Sequence, residues 1–355
     1  MLVFLIVLLL LAALLEYLSL RSGTSCIEAD FNLSKNRTEA HMPIDLTTGV
    51  KNTSRLPVSF CALSIACPLS AVLPENAAVQ RELYLTLLTD TFRLWWKQSV
   101  ERTITFTMDR RGVYTFSGRE LCRGDFLGVH LQSERFYVRR SLIVYPQRLR
   151  NDALTEALGA YCGELSARRW LIRDPVLTLG IREYTGNEPM HTISWIQTAR
   201  RGDLTVREFD YTRSLNCCVV FSVHGLDSEE SELLDRCCGA VRTICEALLA
   251  SGVEAQVFTN AALSGYPNHA FRSVTAAQNR EDDLLEVLAR VTGSVCCAPE
   301  QLVLECLTAQ TESAAYVLVA AHDDAQTHSA LSLLETRSGM GALLVAVDAL
   351  GGALS

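Results

Sequence analysis

Apolar and polar positions follow three different rhythms along this chain. Residues 2–15, LVFLIVLLLLAALL, are uninterrupted apolar, and the run continues past Glu16 into Tyr17, Leu18 and Leu20 before Arg21. From residue 25 to 148 short runs alternate in polarity and are punctuated by turn residues, the pattern of an all-β unit. Ile104, Phe106 and Met108 alternate there with Thr103, Thr105 and Thr107, and Asp109 to Gly112 turns the chain into Val113-Tyr114-Thr115-Phe116, which predicts a hairpin. From about residue 213, largely apolar strands, Ala315–Ala321 (AYVLVAA) the clearest, alternate with helices. The strands are Cys217–Val223, Val253–Thr259, Ala315–Ala321 and Ala342–Val347, and the helices are 228–250, Asp282–Val291 and Ala325–Glu335. Apolar strands with polar residues only at their ends suit a parallel sheet covered on both faces.

This patterning divides the chain into a helix over 1–21, a β-sandwich over 25–148, a connecting segment over 149–212 with a helix from Asp152 to Arg169, and an α/β domain over 213–355. The first segment reads as an uncleaved membrane helix: a span needs ~20 apolar residues for ~30 Å of hydrocarbon, and this run approaches that if Glu16 lies at an interface. A signal peptide fits less well, because no Lys or Arg precedes the run and no small-residue cleavage site follows it. Arg21, Lys35 and Arg37 beyond the helix place the bulk of a single-pass membrane protein in the cytoplasm.

Composition sharpens this picture only in part. A chain of 355 residues exceeds one typical domain, and 49% hydrophobic residues leave no difficulty in forming cores. Asp and Glu number 40 against 32 Lys and Arg, a formal charge of −8 without a basic block, which argues against a nucleic-acid partner. The 13 cysteines include the adjacent pairs Cys217-Cys218, Cys237-Cys238 and Cys296-Cys297. Neighbouring cysteines rarely bridge each other, and no C-x-x-C spacing occurs, so buried free thiols are expected rather than disulfides, zinc or an iron–sulfur cluster.

One stretch carries a motif. Residues 182–209, REYTGNEPMHTISWIQTARRGDLTVREF, concentrate arginines, carboxylates and aromatic rings. Arg182, Arg200 and Arg207 offer planar donor forks, Glu183, Glu188 and Glu208 offer acceptors, and Tyr184 and Trp195 would bury rings while their O–H and N–H find partners. On the residues alone this is a structural brace or a binding surface, with the brace favoured. The stretch resembles the signature of the domain of unknown function 58 family, R-x-Y-x-x-G-D-x-x-R-x-I-x-W-x-x-S-A-R. Arg182, Tyr184, Ile193, Trp195, Ala199, Arg200, Leu204, Val206 and Glu208 fall in step, whereas Asn187, Glu188, His191 and Thr198 depart from it. A second segment, RRGVYTFSGRELCRGDFLG, is similar to the family's R-R-G-x-Y and D-P-F-G-L, with Asp125, Phe126, Leu127 and Gly128 in place and the Pro absent. The resemblance implies a β-sandwich followed by a doubly wound parallel sheet of the von Willebrand factor A type. It also implies a non-catalytic scaffold or adaptor working with a protein partner, a MoxR-type AAA+ ATPase, in assembly or maturation of other proteins.

Candidate chemistry is sparse beside that. The hard-oxygen site D-x-S-x-S of such domains is missing: Ser222 and His224 stand at the strand end, and Asp227 and Ser231 are too far apart, so no metal is expected and Asp227 reads as a helix cap. Neither G-x-S-x-G nor a P-loop occurs, and no catalytic residue or cofactor is assigned. A Cys217–His224 thiol enzyme and a small-ligand or peptide receptor remain as rivals, the latter at His322, Asp323 and Asp324, which close a strand at its carboxyl end.

Overall fold

The computed structural model describes all residues except 1, 23, 76, 126, 127, 129, 172–177, 210–215, 227–230, 267–272, 278, 279, 310–314, 340, 351, 352 and 355; for 2, 12, 19–22, 24, 166–171, 178, 179, 208, 209, 231, 353 and 354 only the backbone is described. Two compact units divide the chain between Gln147 and Arg148.

The first unit contains helix α1 (Leu2–Ser22) and strands β1 (Ile27–Leu33), β2 (Arg37–Glu39), β3 (Ile44–Asn52), β4 (Val58–Cys67), β5 (Ala71–Val72), β6 (Val79–Arg81), β7 (Thr86–Leu94), β8 (Ser99–Met108), β9 (Gly112–Gly124), β10 (Leu131–Arg135) and β11 (Arg139–Tyr145). One sheet has the order β1-β3-β8-β5; the other runs β2-β11-β9-β4-β7-β6, with β10 added to β9. Alternation places Ile44, Leu46 and Val50 of β3 inward, and they share one core with Leu63 and Ile65 of β4, Leu88 and Phe92 of β7, and Phe116 of β9. Strands such as β3 and β7 thus have one dry face and one wetter face, the expected result of period-two patterning.

The predicted hairpin around 109–112 is not one. Strand β8 pairs with β3 and β5, whereas β9 pairs with β4, β10 and β11, so the chain crosses from one sheet to the other at this corner. Alternation in both strands is satisfied by facing across the core: the rings of Phe106 and Phe116 lie 5.4 Å apart, one from each sheet. The Tyr114 hydroxyl donates to the carbonyls of Arg110 (2.9 Å) and Arg111 (3.2 Å) and pins the bend. Gly112, at φ +153°, is needed here, because a Cβ would stand 3.1 Å from the Tyr114 ring.

The membrane helix, and with it a single-pass location with a cytoplasmic bulk, is corrected. Among the described residues no helix is long and apolar enough to cross a membrane. In α1 the unbroken apolar run stops at Glu16; residues 2–15 rise about 21 Å at 1.5 Å per residue, short of the ~30 Å hydrocarbon core.

The second unit begins with β12 (Leu149–Arg150) and α2 (Asp152–Leu171), followed by β13 (Thr178–Glu183), α3 (Trp195–Arg201) and β14 (Thr205–Phe209). It continues through β15 (Asn216–Ser222), α4 (Ser231–Ala250), β16 (Glu254–Thr259), β17 (Ala261–Leu263), β18 (Ser273–Ala276), α5 (Glu281–Arg290), β19 (Val291–Val295) and α6 (Pro299–Ala309). The last elements are β20 (Ala315–Ala320), α7 (Ala325–Ser338), β21 (Ala342–Ala346), α8 (Val347–Leu350) and β22 (Ala353–Leu354). Strands β18-β16-β15-β20-β21 form a five-stranded sheet in that order. Residues 217, 219 and 221 of β15 pack with the buried stripe of α4 (Cys237, Val241, Ile244, Leu248), and residues 218 and 220 pack with Leu302 and Val303 of α6 and Leu334 of α7. Both faces of the central strands are therefore dry.

The doubly wound parallel sheet of the von Willebrand factor A type is corrected as well. The chain is mostly β, at 42% strand, and the five-stranded sheet is mixed: β18 runs antiparallel to β16. Its sequence, Ser273-Val274-Thr275-Ala276, lacks the continuous apolar run that a strand covered on both faces requires, and only Ala276 is fully buried. Further antiparallel ladders, β17 with β19 and β12 with β22, stand outside the main sheet.

Phe221 lies wholly buried at the centre of this unit. Replacing Phe221→Ala should lower the urea unfolding free energy by about 3–5 kcal/mol, the usual cost of a large cavity in a packed core.

Candidate functional site

The signature segment forms a small antiparallel excursion of β13 and β14, with a 3-10 turn (Met190–Thr192) and α3 between them. Its foot is closed by Ile193 and Val206, both buried and bridged to each other. The Ser194 amide donates to Thr205 O (2.9 Å), the Tyr184 amide to Leu204 O (2.9 Å), and the Thr205 amide to Thr198 Oγ1 (3.1 Å). Gly202, in the left-handed region at φ 85°, ends α3 and returns the chain to β14.

Charged groups brace the loop before α3. Arg182 Nη1 lies 2.6 Å from Glu188 Oε1. The Thr185 hydroxyl donates to the same oxygen at 2.6 Å, and the Thr185 amide donates to Oε2 at 3.0 Å. These contacts, the Thr185 hydroxyl foremost and Arg182 and backbone amides after it, outweigh desolvation and hold the Glu188 carboxyl down at about 2. Tyr184 is half-buried, with its hydroxyl donating to Gly186 O at 3.3 Å.

Trp195 departs from expectation. It was expected to bury its ring, yet as the first residue of α3 it is 61% exposed, and Ile196, Met190 and Leu204 are exposed as well. Ala199 and Arg200 lie on the solvent side of α3, and Arg207 stands opposite Ile181 in the ladder, as Glu208 does opposite Gly180. The Glu208 side chain lies outside the described residues, as do Phe126 and Leu127 of the second motif. Leu204 was among the signature residues, but Met190 and Ile196 escaped the sequence reading because an isolated apolar residue has no period; their signal was only that nothing nearby alternates with them to bury them.

A second arrangement lies at the carboxyl ends of β15 and β20. From β15 the chain goes to β16 on one side and later to β20 on the other, so the gap between β15 and β20 is the switch point of the sheet. Here His322 Nδ1 meets Asp348 Oδ2 at 3.0 Å, His328 Nε2 meets Asp323 Oδ1 at 2.8 Å, and Asp324 accepts from the Thr327 amide at 2.7 Å as the cap of α7. Burial pushes the Asp324 carboxyl up, but the Thr327 bonds and the neighbouring His224 and His322 bring it below its ordinary value on balance. Gly225, at φ +81°, lets the chain pass His322, whose Cδ2 would stand 3.3 Å from a Cβ. Among the described residues no set of three metal-ligating side chains converges at this edge. Asp227, assigned to the cap of α4, lies outside the described residues.

Burial suppresses several of the thiols. Burial pushes Cys61, Cys67 and Cys245 up to about 12 and raises Cys217, the proposed partner of His224, well above its ordinary value. Cys306 is raised as well, first by its hydrogen bond with Cys218 and then by burial. Such thiols hold too little thiolate to act as nucleophiles at neutral pH.

No family model matches the chain, and no curated protein matches it. Among solved structures it is similar to a cohesin module from a Clostridium perfringens family 33 glycoside hydrolase (7% identity, 34% of this chain and 96% of that one, TM-score 0.26). It is likewise similar to a type II cohesin domain from the cellulosome of Acetivibrio cellulolyticus (9%, 33% and 94%, 0.26) and a non-cellulosomal cohesin from Archaeoglobus fulgidus (11%, 33% and 91%, 0.24). Likenesses this distant, over a third of the chain, carry no functional argument.

Two outcomes follow. Because folding lowers the Glu188 carboxyl from 4.5 to about 2, its contribution is present above pH 4.5 and is lost as pH falls toward 2. The difference in urea midpoint between the wild type and Glu188→Gln should therefore be constant above pH 4.5 and shrink to nothing near pH 2. In alkylation of the native chain at pH 8, label should enter only Cys122, Cys296 and Cys297, which are partly exposed, and should reach the ten buried cysteines only in denaturant.

Proposed function

We propose that this chain is a non-catalytic scaffold or adaptor that binds a protein partner through the Trp195–Ile196 corner of the signature excursion. The observation that carries the reading is an exposed Trp, Ile and Met set on a backbone closed by main-chain bonds and a buried foot. Large apolar side chains held rigidly in water are a cost to a free chain and a gain to a complex, and tryptophan is enriched where binding energy concentrates. The brace of Arg182, Thr185 and Glu188 has the role of positioning this corner, so the two readings of the signature combine: charged groups inside the loop, apolar groups outward. The resemblance of the signature supports a MoxR-type AAA+ ATPase as the partner.

A second reading is favoured by the switch-point cluster. His322, Asp324 and Asp348 at the carboxyl ends of adjacent strands suit a small polar ligand or peptide terminus.

The test is capture of a purified MoxR-type ATPase by the full chain, with and without ATP, followed by titration. Trp195→Ala should fold as the wild type does, since its ring is exposed, and should weaken binding by about 30-fold or more, the effect of losing a hot-spot side chain. Equal binding by Trp195→Ala and Ile196→Ala variants would reject the corner as the interface, and binding lost instead in Asp348→Asn would transfer the role to the switch-point cluster.

A further inference from the structure

Glu16 is an anomaly in its helix: it is the single charged side chain between Met1 and Leu20, set directly after an unbroken apolar run. The fold gives it a destination. Carboxylate and imidazole atoms of Glu16, Asp125 and His130 lie within 4.8 Å of one another, in a chain where 109 positions separate Glu16 from Asp125.

Two of the three residues are held in place before any ion arrives. Strands β9 and β10 form a hairpin whose closing pair is Gly124 opposite Leu131, so Asp125 and His130 are the first and last residues of its loop. The Asp125 amide donates to His130 O (3.1 Å), and the His130 amide donates back to Asp125 Oδ2 (2.7 Å). From outside the loop, Ser59 Oγ donates to Asp125 O at 2.6 Å. The Asp125 side chain is 2% exposed, His130 Nδ1 stands 3.1 Å from its Oδ2, and the imidazole itself is 64% exposed, which leaves a path from solvent to the cluster.

We infer that Glu16, Asp125 and His130 bind a divalent transition-metal cation that ties α1 to the β9–β10 hairpin loop. The donor set suits a cation: two carboxylates and one imidazole bring their ligand atoms to one point. Distance permits it, because two ligand atoms that share a metal at about 2.1 Å stand roughly 3.0–3.4 Å apart, the separation already found between Asp125 and His130. Donor type selects the class. One imidazole and two carboxylates suit zinc, manganese or cobalt, whereas calcium and magnesium take oxygen alone and copper(I) takes thiolates. Three protein ligands leave room for water, and entry is open on the His130 side.

The cysteines set the choice of probe, since zinc bound to thiols would obscure the result. Cobalt(II) distinguishes the two, because thiolate ligands add intense charge-transfer bands and oxygen and nitrogen ligands do not. The full chain, stripped with chelator, should take up one equivalent of cobalt(II) with weak visible bands only. His130→Gln, at an exposed position, should fold normally and lower the affinity at least about tenfold, and Glu16→Gln should do the same, while Cys122→Ser combined with Cys296→Ser and Cys297→Ser should leave it unchanged. Absence of cobalt from the folded wild type would overturn the proposal. Uptake unaffected by His130→Gln, or accompanied by thiolate bands, would overturn it equally.

Discussion

The second unit depends on the complete dehydration of strand β15. Cys217 to Phe221 have no exposed surface, with α4 against one face and α6 and α7 against the other. A strand covered on both sides must satisfy its backbone within the sheet, and β15 does so through parallel ladders to β16 and β20. That pairing sets the switch point, and the switch point brings His224, His322, Asp324 and Asp348 to one edge. The dependence extends outward: Asn260, itself buried, accepts from the Val223 amide at 2.9 Å and donates to Cys297 O at 3.1 Å, fixing where β15 ends.

A different economy governs the first unit. Its strands bury one face each, and the two sheets meet over a shared aliphatic and aromatic core. The dry faces also carry polar pairs: Thr48 Oγ1 donates to Asp90 Oδ2 at 2.8 Å in the interior, and Arg102 approaches the same carboxylate from the surface at 3.4 Å. Asn52, fully buried, donates to the carbonyls of Leu56 and Trp95 and accepts from Ser54, so one amide holds two turns together. The buried Thr48–Asp90 pair and the Asn52 amide thus tie together segments that apolar packing alone would fix less sharply.

Both functional proposals use side chains that the local pattern makes costly. Trp195 and Ile196 remain in water on an excursion closed by its own hydrogen bonds, and Glu16 interrupts an apolar helix to meet a buried carboxylate. In the two proposals such features, set away from the cores, are balanced by a partner in one case and a cation in the other. The inert, buried thiols, by contrast, need no such counterpart, since each fills volume in a packed interior.

Local period determined what could be read from the sequence. The alternation of Ile104, Phe106 and Met108 and the apolar stripe of α4 repeat within a few residues, so element type and inward face were legible there without any distant contact. The signature disclosed three arginines and three glutamates as donors and acceptors, and the structure pairs Arg182 with Glu188, six positions apart. Pairing was not legible. The turn at 109–112 has the residues of a hairpin, but β8 has β3 on one edge and β5 on the other, and β9 pairs in the other sheet. Exposure of Trp195 was decided in the same way, by where the foot of the excursion found its buried contacts, and the meeting of Glu16 with Asp125 and His130 by a helix returning to a loop over a hundred residues later. Local chemistry sets the shape of each element through torsions and hydrophobic spacing; which elements meet is set by the burial of whole faces, and that depends on the entire chain at once.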